Sequence, residues 1–257
     1  MKIGLVGHTV IDTVVGADGG ESRRLGGSPL YARRALDAEG AESVVVTRGA
    51  DPGDAVVIPG GPAYDSRLDH REGTRQVLAR LGLPFSADDV RTYVLPAVAG
   101  CEWLHLGSQG GSDFPRETIA ALVAAGHRLC LDGQGPARGA EPGPVRLRPF
   151  PAGSIAGVAI LKLNQREAVA AAGERLDAEA LVGLGAPEVC VTMGAEGVVT
   201  ATAAGVVHVP GTGAGTYADP TGAGDSFTAA YVLARAQGAP PPEAAARAEA
   251  ATDRLYL

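Results

Sequence analysis

The stretch Asp219-Pro220-Thr221-Gly222-Ala223-Gly224-Asp225-Ser226-Phe227 constrains this 257-residue chain more than any other. Pro220 bars a helix from running in from upstream, and the glycines permit a tight turn. The residues from Ser226 to Ala236 are rich in Ala, Leu and Tyr and read as a helix. Its first, unpaired N–H groups then fall at Gly222, Ala223 and Gly224. Open donors and the positive end of the helix dipole point the same way there, so the turn attracts an anion.

An aspartate beside such a turn needs a reason. Asp225 repels the anion that the glycines attract, unless it takes a proton from a hydroxyl attacking that anion. Phosphoryl transfer uses those two parts, donors for the charge on the moving group and a base for the nucleophile. An Asp-capped helix after a glycine turn is the plain structural alternative, and for a bare G-x-G-D the two readings weigh about evenly.

The nine residues resemble the second signature of the ribokinase (PfkB) family of carbohydrate and nucleoside kinases, D-x-x-G-A-G-D-x-F. That resemblance implies that Asp225 is the catalytic base, that Gly222, Ala223 and Gly224 hold the γ-phosphate of ATP, and that Asp219 and Thr221 lie beside the nucleotide. It also implies an α/β fold, a three-layer ribokinase-like α/β/α arrangement with a central, mostly parallel sheet and a reduced β lid. One kinase domain is expected over 1–257, with lid elements within about 12–30 and 51–75.

Composition agrees with a globular enzyme, at 46% hydrophobic and 20% charged residues. A net charge of -7 gives no electrostatic footprint for nucleic acid or an anionic membrane, so local donors and Mg²⁺ must carry phosphate binding. Cys101, Cys130 and Cys190 are far apart, match no zinc spacing and read as buried free thiols. With no signal peptide and no apolar run of 18 residues, the expected location is cytoplasmic.

Taken in order, the chain alternates strand and helix. Residues 2–7 (KIGLVG) read as a buried strand, 30–36 as a helix and 43–48 (SVVVTR) as a second strand, a βαβ opening. Residues 51–92 are polar and without clear period; 56–59 read as an edge strand, and Arg71 and Arg75 as surface arginines. Strands follow at 102–107 and 128–132, with a helix at 115–125 between them and a loop at 133–138. His105, inside a strand, reads as a core histidine. Further strands are expected at 155–163, 188–192, 198–200 and 206–209, and a terminal helix at 243–255.

The family resemblance continues through these segments. A first strand ending in Gly7, then Asp12, then the Gly26-Gly27 pair, implies an acceptor site in which Asp12, Gly26 and Gly27 meet substrate hydroxyls. A carboxylate can accept two hydrogen bonds from vicinal hydroxyls, and glycines let a ring approach the backbone. Sugar kinases often carry Asn four residues after the second glycine, and Tyr31 stands there instead, which loosens the link to a ribose- or fructose-like acceptor. The L-G-G-x-x-x-Y-A spacing from Leu25 and the D-x-Q-G-x-x-R stretch at Asp132 are similar to an inositol-kinase-like branch.

Asn164 and Glu167 form an N-x-x-E pattern at a helix start. By itself this is a capping box; in the family it organises Mg²⁺ and phosphate through waters, and the two readings are compatible. Thr192, Gly194 and Gly197 resemble the V-T-x-G-x-x-G segment along the nucleotide, and the glycine-rich 211–217 loop is expected to flank the adenine. The family usually continues beyond such a helix, so part of the nucleotide pocket is expected to be open, supplied by another subunit or missing; a small lid with an exposed edge strand suggests a homodimer through the lid. The reading is therefore an ATP- and Mg²⁺-dependent kinase acting on a hydroxyl of a small polyol, a cyclitol or a sugar. Its alternatives are a nucleoside kinase and a non-catalytic metabolite-binding protein.

Overall fold

Lys2–His8 is buried on both faces and lies between two parallel partners, Glu42–Arg48 and Trp103–Gly107. Burial on both sides is why these strands read as continuous apolar runs rather than as alternating ones. The computed structural model describes residues 1–257 except 17, 70, 72–74, 152, 214–216 and 218.

The central sheet has nine strands. From one edge they run Gly205–Val209, Val198–Thr202, Glu188–Thr192, Ile160–Asn164, Arg128–Asp132, Trp103–Gly107, Lys2–His8, Glu42–Arg48 and Val56–Ile58. Seven are mutually parallel, and the hairpin 198–209 closes one edge antiparallel. Side chains alternate between the two faces. Ile3, Leu5, Val45 and Trp103 pack with the helices Ser28–Ala38, Ala223–Ala236 and Pro241–Tyr256. Val6, Leu104, Leu106 and Leu161 face the helices Arg116–Ala124, Gln165–Ala172 and Ala178–Val182. Three layers result, and Trp103 at 1% exposure anchors one of the two interfaces. Truncating Leu104, which is wholly buried, to Ala would cost about 2–5 kcal/mol.

A second sheet of five strands stands beside the first, in the order Gly143–Pro144, Arg75–Arg80, Tyr64–Asp69, Val10–Val15 and Glu21–Gly26. It runs on to Arg80, past the boundary expected from sequence, and gains an edge from a segment some sixty residues downstream. Charged residues through this region hid the strand period. Exposed pairs line it: Arg67 with Glu21 at 2.5 Å and Arg71 with Asp69 at 2.6 Å, so Arg71 is occupied on the surface. Only Thr9 separates Lys2–His8 from Val10–Val15, so one segment passes from the central sheet into the lid. Its N–H is held by Thr47 Oγ1 at 2.9 Å and by the Arg48 carbonyl at 3.1 Å.

Two further differences concern helices. Residues 87–97 are helical, started by a Ser86–Asp89 capping box that the polar composition concealed. Gln134–Arg138, read as loop, is a short helix. All three cysteines are free and buried. No helix among the described residues is long and apolar enough to cross a membrane.

Candidate active site

The helix Ala223–Ala236 begins at Gly222, whose φ of 83° and ψ of -1° are left-handed. Only glycine takes up that conformation readily, and a Cβ here would overlap the Tyr31 ring. The Ala223 N–H turns back to the Pro220 carbonyl at 3.1 Å. The amides of Gly222 and Gly224 have no acceptor among the described residues, so two glycine donors rather than three residues' worth remain open at the turn.

Asp225 is the third residue of this helix. Burial first, and then the charge of Asp132, push its carboxyl up to about 6, with Ser28, Lys162 and His105 opposing. Asp132, at the end of Arg128–Asp132, is 3% exposed. His105 Nε2 lies 2.7 Å from its Oδ2, and Thr228 Oγ1 donates to its Oδ1 at 2.9 Å. His105 is thus buried, as read from the sequence, and it also supports a carboxylate that acts on Asp225.

Lys162 points from the strand Ile160–Asn164 into the same place. Its Nζ lies 2.8 Å from where a Gly224 Cβ would stand. Burial disfavours its charge, but Asp132, Glu167 and Asp225 outweigh that and hold its pKa above the ordinary lysine value. The sequence signal was a lone lysine inside an apolar strand. It was passed over because strand periodicity does not say which face meets a functional turn.

Asn164 and Glu167 form the capping box: Asn164 N–H donates to Glu167 Oε2 and Glu167 N–H to Asn164 Oδ1, each at 2.9 Å. Glu167 is 2% exposed, and its second oxygen takes no part in the cap. Among the described residues no three His, Cys, Asp or Glu side chains converge on a point. A hard cation held chiefly by waters and phosphate oxygens needs no such cluster, so one Glu and one Asn fit magnesium.

Three cavities meet at Pro220. One of about 420 Å³ is lined by Thr192, Gly194, Tyr217, Gly224, Phe227 and Asp253 among others. A second of about 390 Å³ holds Asp132, Lys162, Asn164, Glu167, Gly222 and Asp225. The third, about 340 Å³, lies under the lid and is walled by Asp12, Gly27, Tyr31, Gln109, Arg138 and Asp225, with Gln76 reaching in from the lid. Asp225 and Gly222 line both the second and the third.

The residues singled out from the sequence fall as follows. Asp12 is 5% exposed and accepts from Ser66 Oγ at 2.5 Å; burial raises its pKa, against Ser66, Arg24 and Arg138. Gly27, at φ 109°, lines the lid cavity. Gly26 does not; a Cβ there would stand 2.5 Å from Asp12 Oδ2, so it makes room for that carboxylate. Thr192 and Gly194 line the large cavity, whereas Gly197 lies outside it, closing a turn where a Cβ would overlap the Val209 carbonyl. Thr221 lines the lid cavity. Asp219 lines none of the three; it accepts from Arg24 Nη1 at 2.7 Å and from the Thr221 N–H at 3.0 Å. Of the 211–217 loop, residues 214–216 lie outside the described residues, while Gly211, Thr212 and Gly213 line the large cavity. Gln134 and Arg138, which belong to the D-x-Q-G-x-x-R stretch, line the lid cavity; Gln109 joins them from a loop far away in sequence and carries no local signal.

The family model for pfkB family carbohydrate kinases matches residues 150–252. No curated protein shows a significant match. Among solved structures, a pyrophosphate-dependent kinase of the ribokinase family, complexed with a pyrophosphate analogue and myo-inositol, is 20% identical; 99% of this chain and 94% of that one superpose with a TM-score of 0.82. Arabidopsis thaliana ribokinase with ribose and ATP is also 20% identical, over 98% and 91% of the two chains, with a TM-score of 0.74. A Burkholderia thailandensis nucleoside kinase bound to inosine is 14% identical, over 98% and 90%, at 0.69. The fold is that of the ribokinase family, and residues 150–252 carry the match to pfkB family carbohydrate kinases.

Proposed function

We propose that the protein, acting as one kinase domain over 1–257, transfers the γ-phosphoryl group of ATP, with Mg²⁺, to a hydroxyl of a small polyol, a cyclitol such as inositol or a sugar. The observation that carries this reading is the position of Asp225, on the shared wall of the phosphate cavity and the lid cavity. A hydroxyl on the lid side donates to Asp225 as it attacks. Its proton passes to the carboxylate, a new O–P bond forms, and the bond from phosphorus to the ADP oxygen breaks. The open amides of Gly222 and Gly224, with Lys162, meet the charge on the moving group. Asn164 and Glu167 would hold Mg²⁺ through water; bound there, the ion neutralises donor phosphate charge. Asp12 would orient the acceptor through paired hydroxyls, with Gln76, Gln109 and Gln134 supplying further donors and acceptors.

A nucleotide donor is favoured over pyrophosphate by the large cavity. Its described lining holds Tyr217 and Phe227 with Glu249 and Asp253, and no lysine or arginine. Such walls suit an adenosine and repel a bare polyphosphate. The test is ADP release from MgATP across inositols, sugars and nucleosides, with pyrophosphate as a second donor and Asp225→Asn as control. Turnover of one polyol class with ATP, abolished in the variant, is the expected result. Turnover with pyrophosphate alone would overturn the donor assignment, and turnover of nucleosides alone the acceptor assignment.

A further inference from the structure

Arg138 ends the short helix Gln134–Arg138 and lies on the wall of the lid cavity with Asp12, Gln109 and Asp225. Three other arginines that are not fully exposed have carboxylate partners: Arg48 with Asp89 at 2.6 Å, Arg235 with Glu188 at 2.8 Å and Arg24 with Asp219 at 2.7 Å. Arg138 has no carboxylate within 4 Å among the described residues. Its one hydrogen bond is a long contact to Gln109 Oε1 at 3.4 Å, and its Nε is buried without a partner.

A guanidinium carries five N–H donors and cannot shed its charge, so burying it unpaired is costly unless something else meets those donors. Glu167, Asp225, Asp113 and Asp132 act on it only at range; burial prevails and lowers its pKa. Arg138 lines the lid cavity together with Asn164, Gly222 and Asp225, so it shares one cavity with the base and with the glycine turn.

We propose that Arg138 is a catalytic residue whose guanidinium binds oxygen of the phosphoryl group while that group passes from donor to acceptor. The proposal rests on the kinase reading above. A planar fork matches two equatorial oxygens of a loose, metaphosphate-like group, and being fixed in the fold it needs no reorganisation as charge develops. Arg138 makes and breaks no covalent bond; the hydroxyl proton still goes to Asp225 and the leaving group is still ADP. On this view Gln109 is its positioning partner, itself fixed by its backbone N–H, which donates to Asp113 Oδ2 at 2.6 Å.

The test compares Arg138→Met, Arg138→Lys and Arg138→Ala with the unaltered protein on the acceptor that the panel selects. Loss of a preorganised donor to a transition state costs roughly 10²–10³-fold in kcat. That loss is expected in Arg138→Met with the KM for ATP and the melting temperature held, a smaller loss in Arg138→Lys, and partial recovery of Arg138→Ala by guanidinium in solution. A second readout needs no turnover. Aluminium fluoride with MgADP and myo-inositol should tighten ADP binding in the unaltered protein and not in Arg138→Met, measured by calorimetry. A raised acceptor KM with kcat intact, or equal tightening in both proteins, overturns the proposal and leaves the kinase reading standing. An unaltered protein that neither turns over any acceptor nor responds to aluminium fluoride removes both.

Discussion

The ring of Tyr31 fills the space that a side chain at Gly222 would take. Helix Ser28–Ala38 thereby holds the turn from which helix Ala223–Ala236 starts. The contact is reinforced by Ser226 Oγ, which donates to the Tyr31 carbonyl at 3.2 Å. Gly222→Ala meets both a left-handed φ and this ring. It is expected to lose at least about 1–2 kcal/mol in urea unfolding, with turnover falling as the open amides shift. An alanine variant with unchanged midpoint and unchanged rate would show that the ring yields freely.

Asp225→Asn should separate activity from stability. The folded carboxyl is held at about 6, against 3.8 for an unperturbed aspartate. The folded state therefore binds the proton more tightly, and ionised Asp225 costs stability above pH 6. That cost fades as pH falls through 6 towards 4. At pH 7.5 the amide variant should melt higher, by an increment on the order of 1–3 kcal/mol, and the difference should vanish near pH 4. Its turnover should drop by roughly 10²–10⁴-fold. Thermal melts across pH, paired with rates, check both.

The acid limb of the rate profile follows from the same carboxyl. A base must be ionised to work, so activity should fall as pH drops through about 6. Asp132→Asn removes the neighbouring negative charge while keeping an acceptor for Thr228. Asp225 then loses a proton more readily, and the limb should move to lower pH. A limb that stays in place in a folded Asp132→Asn protein would sever Asp132 from the base.

Arg24 and Asp219 join a lid strand to the start of the glycine turn that precedes helix Ala223–Ala236. Arg24 and Thr221 hold the Asp219 carboxyl down to about 2, against the effect of burial. Stability from this group is therefore complete above pH 4 and lost as pH falls through 2. Both side chains are well exposed, 37% and 50%, so Arg24→Ala should cost under about 1 kcal/mol. Its larger effect is expected on the acceptor KM, because the lid loses its link to the turn. Steady-state kinetics with a parallel melt would show that split.

The parts of the molecule that sequence revealed are those built from neighbours along the chain. The glycine turn, the Asn164–Glu167 cap and the alternation of strand and helix each fit within a dozen residues, and their residue types carry their own geometry. Lys162 and His105 reach the site only because the sheet sets their strands on either side of the one that ends in Asp132, and Arg138 because the short helix after that strand carries it there. The lid strands 64–69 and 75–80 were obscured for a related reason. Their charges pair over the sheet surface, as Arg67 does with Glu21 across the intervening strand Val10–Val15, so the polar residues of this region show no clear strand period.

Thr9 gives the passage from central sheet to lid a further meaning. With its N–H fixed to Thr47 and Arg48, the segment Lys2–Val15 behaves as a lever with a clamped fulcrum, one arm in the core and the other beneath the acceptor. On the proposed kinase reading, binding energy gathered by distant hydroxyls of a polyol would act through the lid arm that carries Asp12. An acceptor stripped of those hydroxyls would then react more slowly even at saturation, not merely bind less well.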